Sequence, residues 1–163
     1  MPHVRAGALH SDDLGIELQT NEFSGKSFAS PWASMSYRRK EFGDKPPFVA
    51  VIDDDGALCS SLVDLIRSIG YRAEPFDSAE TFFESVNRSN LDCIIADVHM
   101  PGMGGFNLVR ELRGRGIKTP VILITARPGK YLDAEAISIG ATCLLRKPFE
   151  TSSLLSWIER SLH

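Results

Sequence analysis

Cysteine is scarce in this chain, with only three among 163 residues. Cys59, Cys93 and Cys143 stand far apart, and no CxxC or Cys/His spacing joins them. That pattern argues against a zinc site and favours reduced thiols in apolar surroundings. The histidines His3, His10, His99 and His163 share no helical spacing, so a histidine metal site has no support either. Excess charge is missing as well: the formal net charge is -3, which offers nothing to a polyanion. Apolar runs are only a handful of residues long, too short for a membrane-spanning helix or a signal-peptide core. The chain therefore reads as cytoplasmic, with no membrane partner and no direct contact with nucleic acid.

What is present divides into two unequal parts. Residues 1–47 carry six Lys/Arg and six Asp/Glu, are rich in Ser and Gly, and sustain no apolar period. SFASPWASMSYRRKEFGDKPP, Ser27 to Pro47, reads as a linker closed by Pro46-Pro47. This part is expected to be a disordered tail. Residues 48–163 are regular and long enough for one domain with a proper core.

FVAVI (Phe48 to Ile52) is a continuous apolar run, the mark of a strand buried on both faces. Leu58, Leu62, Leu65, Ile66 and Ile69 then share one helical face, stopped by Gly70. YRAEPF (Tyr71 to Phe76) predicts a more exposed strand, placed at a sheet edge by Pro75. Ser78 is a suitable N-cap for a helix carrying Phe82, Phe83 and Val86. CIIAD (Cys93 to Asp97) predicts a third strand, and Phe106, Val109 and Leu112 a short helix ended by Gly114 and Gly116. VILIT (Val121 to Thr125) and TCLLR (Thr142 to Arg146) predict two more strands, with a weaker helix between them from Tyr131 to Ile139. Leu154, Leu155, Ile158 and Leu162 mark the last helix. Five rounds of strand then helix imply an α/β fold, a doubly wound parallel sheet whose strands all end on one edge.

That edge collects a particular chemistry. Asp53, Asp54 and Asp55 follow the first strand, Asp97 ends the third, Thr125 ends the fourth, and Lys147 follows the fifth. Each residue alone is an ordinary turn, cap or loop residue. Together at successive strand ends they form a set. Clustered carboxylates raise one another's pKa, and a hard cation such as Mg2+ relieves the repulsion. A lysine and a threonine hydroxyl can hold phosphate oxygens. A carboxylate can itself be the nucleophile that takes a phosphoryl group, and Asp97 is the best placed.

At these residues the sequence resembles the receiver domain of bacterial two-component response regulators. The likeness covers Phe48 to about His163, through VIDDDG, IIADVHMPGMGG, VILITA and KPF. Its long form, D-x-x-M-P-x-M-x-G, is Asp97, Met100, Pro101, Met103 and Gly105. The wording is most similar to the nitrogen-fixation regulator (FixJ-type) group. The resemblance implies a flavodoxin-like, CheY-like fold with strand order 2-1-3-4-5. It implies that Asp97 accepts a phosphoryl group from a sensor histidine kinase or phosphotransfer protein, and that Thr125 and Lys147 contact it. It further implies Mg2+ held by Asp53, Asp54, Asp97 and the backbone carbonyl of His99, and a cis Lys147-Pro148 bond. Asp55 is expected at the helix start, away from the metal.

Leu144 departs from the family, which often has an aromatic switch residue there. His99 and Arg127, each two residues past a site residue, are expected to slow water attack on an acyl phosphate. With no DNA-binding pattern after the last helix, output is expected through a contact with another protein, by a face including Ser138, Leu144, Arg146, Ser152 and Leu155. The chain is thus read as a phosphorylatable single-domain regulator that turns over no separate substrate. One rival is a receiver-like interaction module that works without phosphate. Another is an aspartyl-nucleophile phosphatase, disfavoured because His99 stands where a second acid would be needed.

Overall fold

The computed structural model describes residues 45–85 and 90–163. The tail read from residues 1–47 therefore lies, up to residue 44, outside the described residues, and so does Val86. Pro47, the last residue of that stretch, is buried, and its carbonyl accepts from the Arg72 N–H at 2.8 Å.

Strands β1 (Phe48–Ile52), β2 (Arg72–Phe76), β3 (Cys93–Asp97), β4 (Val121–Thr125) and β5 (Cys143–Arg146) form one parallel sheet in the order β2-β1-β3-β4-β5. Helices α1 (Gly56–Ser68), α2 (Ala79–Glu84), α3 (Gly105–Gly114), α4 (Leu132–Ser138) and α5 (Thr151–Ser161) alternate with them. This is the flavodoxin-like arrangement expected from the sequence. The three central strands are buried at every residue, as their unbroken apolar runs require. β2, carrying Pro75, sits at the edge.

The pleat divides the core into two layers. Val49, Val51, Ile95, Ile122 and Ile124 point to one side, against Leu62, Val63 and Ile66 of α1 and Leu154 and Ile158 of α5. Ala50, Ile52, Ile94, Val121 and Leu123 point to the other, against Phe82 of α2, Leu108 and Leu112 of α3 and Ala136 of α4. All three cysteines are free and buried. Burial pushes the thiols of Cys93 and Cys143 up to about 12, so both are protonated at neutral pH.

The helix boundaries follow local chemistry. Asp55 caps α1, its carboxylate accepting from the N–H groups of Ala57 and Leu58 at 3.1 and 3.2 Å. Ser78 caps α2 and exchanges bonds with Thr81 as a capping box. α3 ends at Gly114 and Gly116, where the sequence pattern put it. Gly114 is its last helical residue, and the reversal falls at Gly116, whose φ of 74° is the left-handed conformation that closes a helix.

Candidate functional site

Parallel register sets the site before any side chain is considered. Ile52 pairs with Ala96, so Asp53 falls beside Asp97. Asp97 pairs with Ile124, and Thr125 with Arg146, so Thr125 and Lys147 follow on the same edge. The ladder continues past the strand ends. Asp53 N–H donates to Phe76 O at 3.0 Å, Val98 N–H to Ile124 O at 2.7 Å, and Lys147 N–H to Thr125 O at 2.8 Å. Asp53, Asp97, Thr125 and Lys147 are thus held on backbone that is itself hydrogen-bonded.

The charged side chains meet as the sequence anticipated. Lys147 Nζ donates to Asp97 Oδ1 at 3.0 Å and lies 3.6 Å from Asp53 Oδ2. The other Asp97 oxygen accepts from the backbone N–H of His99 at 3.0 Å. Asp53 Oδ1 accepts from the Asp55 N–H at 2.9 Å. Asp53 and Asp97 are 3% and 7% exposed, so both carboxylates have lost most of their water. The Lys147-Pro148 bond is cis. Thr125, fully buried, accepts from the Arg127 N–H at 3.1 Å and stands 3.4 Å from His99 Nδ1.

Burial, reinforced by the nearby Asp97 and Asp54 charges, raises the pKa of Asp53 against the opposing pull of the Asp55 N–H and Lys147. For Lys147, burial works against the charge, but the hydrogen bond and charge of Asp97, with Asp53 behind them, outweigh it and raise the pKa. One ammonium cannot satisfy three carboxylates.

Oxygens of Asp53, Asp54 and Asp97 lie within 4.8 Å of one another. Mg2+ takes oxygen ligands at about 2.0–2.1 Å, so donors on opposite sides of it are roughly 4.2 Å apart. Asp54 is exposed and free to swing inward, and one carboxylate can reach the ion through water. The three hard oxygen donors fit a divalent cation. Asp55 is committed to the α1 cap and stays outside this set, as expected.

A raised Asp53 pKa has a testable cost. The native state binds the proton more tightly than the unfolded chain, so Asp53 helps stability in acid. That help is lost as pH rises from the ordinary value of 3.8 through the raised native value. In metal-free protein at neutral pH, Asp53→Asn is therefore expected to stabilise the fold by roughly 0.5–2 kcal/mol. The advantage should shrink as pH falls toward the ordinary carboxylate range. Urea midpoints with a chelator present, measured for both proteins across that range, check it; a wild type more stable at neutral pH would contradict it.

Two features of the site escaped the sequence pattern. Glu80, at the start of α2, accepts from the backbone N–H of Met103 at 2.9 Å and so ties α2 to the loop that leaves Asp97. The partners are 23 residues apart and belong to no motif. The second is the packing reason for Gly105, a motif residue. A Cβ there would sit 2.6 Å from the Asp97 carbonyl oxygen and 2.9 Å from Leu123 Cδ2. The final glycine of D-x-x-M-P-x-M-x-G is therefore where α3 packs directly on the end of β3. Of the residues read as an output face, Arg146 bonds Asp133 and the Gly129 carbonyl. Leu144 packs half-buried in the α2–α4 layer, and Leu155 packs in the α1–α5 layer.

Comparison with known proteins agrees with this geometry. Residues 49–159 match the model of the response regulator receiver domain. The response regulator protein TodT of Pseudomonas putida is 37% identical over 123 residues, which is 76% of this chain and 54% of TodT. The transcriptional regulatory protein FixJ of Bradyrhizobium diazoefficiens is 33% identical over 114 residues, 70% of this chain and 56% of FixJ. The chain thus aligns with only about half the length of these curated relatives. Among solved structures, the chemotaxis protein CheY4 of Vibrio cholerae superposes with a TM-score of 0.66 at 28% identity, covering 72% of this chain and 99% of CheY4. With its sheet order, its acid pair at the β1 and β3 ends and this match, the chain belongs to the response regulator receiver domain family.

Proposed function

We propose that the chain is a phosphoryl acceptor that takes its group onto Asp97, with Mg2+, from a phosphohistidine on a sensor kinase or phosphotransfer protein. The observation that carries this reading is the Lys147–Asp97–Asp53 contact set: a nearly dry carboxylate, held at both oxygens, beside a second acid and a single cation. An Asp97 oxygen would form a bond to phosphorus, and the P–N bond of the donor would break with its electron pair left on the imidazole nitrogen. Asp53, Asp54 and Asp97, with the His99 carbonyl, would hold the cation, which supplies charge neutralisation at the transferring group. Lys147 is placed to contact a phosphoryl oxygen, and Thr125 to donate its hydroxyl to another. Water attack at phosphorus would return the carboxylate and inorganic phosphate. On this reading the protein assists its own modification and turns over no separate substrate.

Output would pass through contacts with another protein. Arg146, which joins β5 to the start of α4 through Asp133, lies on the path from Thr125 and Lys147 to that face. The complete acid, hydroxyl and ammonium set favours this reading over an interaction module indifferent to phosphate. Acetyl phosphate with Mg2+ tests it. One phosphoryl group is expected by intact-mass measurement, released by hydroxylamine as an acyl phosphate is, and absent when a chelator replaces the cation. An unmodified protein would sink the proposal.

A further inference from the structure

The Thr125 hydroxyl is already engaged. It accepts from the Arg127 N–H at 3.1 Å, and His99 Nδ1 stands 3.4 Å from it. His99 is the second residue past Asp97, and its own N–H is fixed on the Asp97 carboxylate, so its ring is anchored at the site by its backbone. A hydroxyl carries one proton and two lone pairs. If Nδ1 is unprotonated, the Thr125 proton points to His99. If Nδ1 carries a proton, it donates to an oxygen already accepting from Arg127. In the first state the hydroxyl must leave His99 before it can donate to a group on Asp97; in the second its proton is free and only its position is fixed by the two donors.

We infer that His99 Nδ1 accepts the Thr125 proton, which makes the His99 side chain a positioning residue that holds Thr125 back from the phosphoryl group, so that closure of Thr125 has to break the His99 contact. This rests on the acceptor reading above and adds to it the regulation of the same site. It differs from a role in screening water, because it acts through Thr125 and on the resting protein. The contact is long for a hydrogen bond, so its release should be worth about two- to fivefold in an equilibrium, the lower part of the usual range.

The test is a mutant cycle with beryllofluoride as the phosphoryl mimic. Apparent dissociation constants are read from the fluorine resonances of bound mimic, at Mg2+ concentrations saturating for each variant. His99→Ala is expected to bind about two- to fivefold more tightly than wild type. His99→Asn, whose amide places an acceptor near the Nδ1 position, should fall between the two. The gain from His99→Ala should persist with Thr125→Ser, which keeps the hydroxyl, and vanish with Thr125→Val, which replaces it by a methyl group. A gain that survives Thr125→Val, or no gain at all, overturns the positioning role while leaving the acceptor reading intact. A wild type that takes up no beryllofluoride with Mg2+ removes both.

Discussion

Asp97→Ala is expected to abolish labelling by acetyl phosphate altogether, with no modified species in the intact-mass spectrum under conditions that convert wild type. The effect is all or nothing because, on the proposed reading, the substituted group supplies the nucleophile. No neighbour can replace it. Asp53 has the right chemistry, but its Oδ1 is occupied by the Asp55 N–H and its pKa is raised, so it is a poorer anion at the site. Asp54 is exposed on the loop after β1 and has none of the ladder bonds that fix Asp97 among those of the described residues. Asp97→Ala keeps the surrounding core, since Ala96 and Val98 on either side are buried by their own contacts. It leaves Lys147 facing Asp53 alone, which relieves repulsion between the acids, so the variant should fold at least as well as wild type. A modification that survives this substitution would place the acceptor elsewhere and defeat the reading.

The largest effect on stability is expected at Phe82. Its ring is 1% exposed and meets Phe76 edge-on, with centroids 5.3 Å apart and planes at 89°, and Phe83 at 5.4 Å. α2 is six residues long, too short to persist on backbone bonds alone. Its capping box starts it, but Phe82 and Ala79 are the buried residues that dock it on the sheet. Phe82→Ala should cost about 3–5 kcal/mol, a large share of the 5–15 kcal/mol typical of a domain. The unfolding midpoint should fall by roughly 10 °C or more. Phe82→Leu, which keeps most of the volume, should cost much less. Chemical denaturation of the three proteins decides it; equal midpoints would mean that α2 is held by something other than this ring. The consequence reaches the site, because Glu80 on the same short helix holds the Met103 N–H.

Much of this was legible in the residues, for a physical reason. A parallel strand buried on both faces must be apolar throughout, so FVAVI, CIIAD and VILIT announce themselves. Once strands and helices alternate, the strands share a direction, and the residues at their ends must converge. Asp53, Asp97, Thr125 and Lys147 could be assembled from that rule alone, and the register confirms their adjacency. What stayed hidden depends on angles and on unpatterned pairs. Gly114 and Gly116 look alike in sequence, and only the positive φ of Gly116 identifies the turn. The Arg113 guanidinium binds the carbonyls of Ile117, Thr119 and Gly140, joining two turns no motif connects. The nearness of His99 Nδ1 to Thr125 is of the same kind, a meeting of side chains that spacing does not announce.

The lone ammonium among the acids has a consequence for the order of events. Three carboxylates and Lys147 leave two uncompensated negative charges at the mouth of the site. A phosphoryl donor is an anion and is repelled by that arrangement. A divalent cation cancels the deficit, so the donor then meets a neutral surface. On the proposed reading the residues would impose a sequence on their visitors, cation first and phosphate second. In kinetic terms the site would then behave as a coincidence detector: the rate with donor should vanish at zero cation, rise with cation occupancy, and level off once that charge is matched.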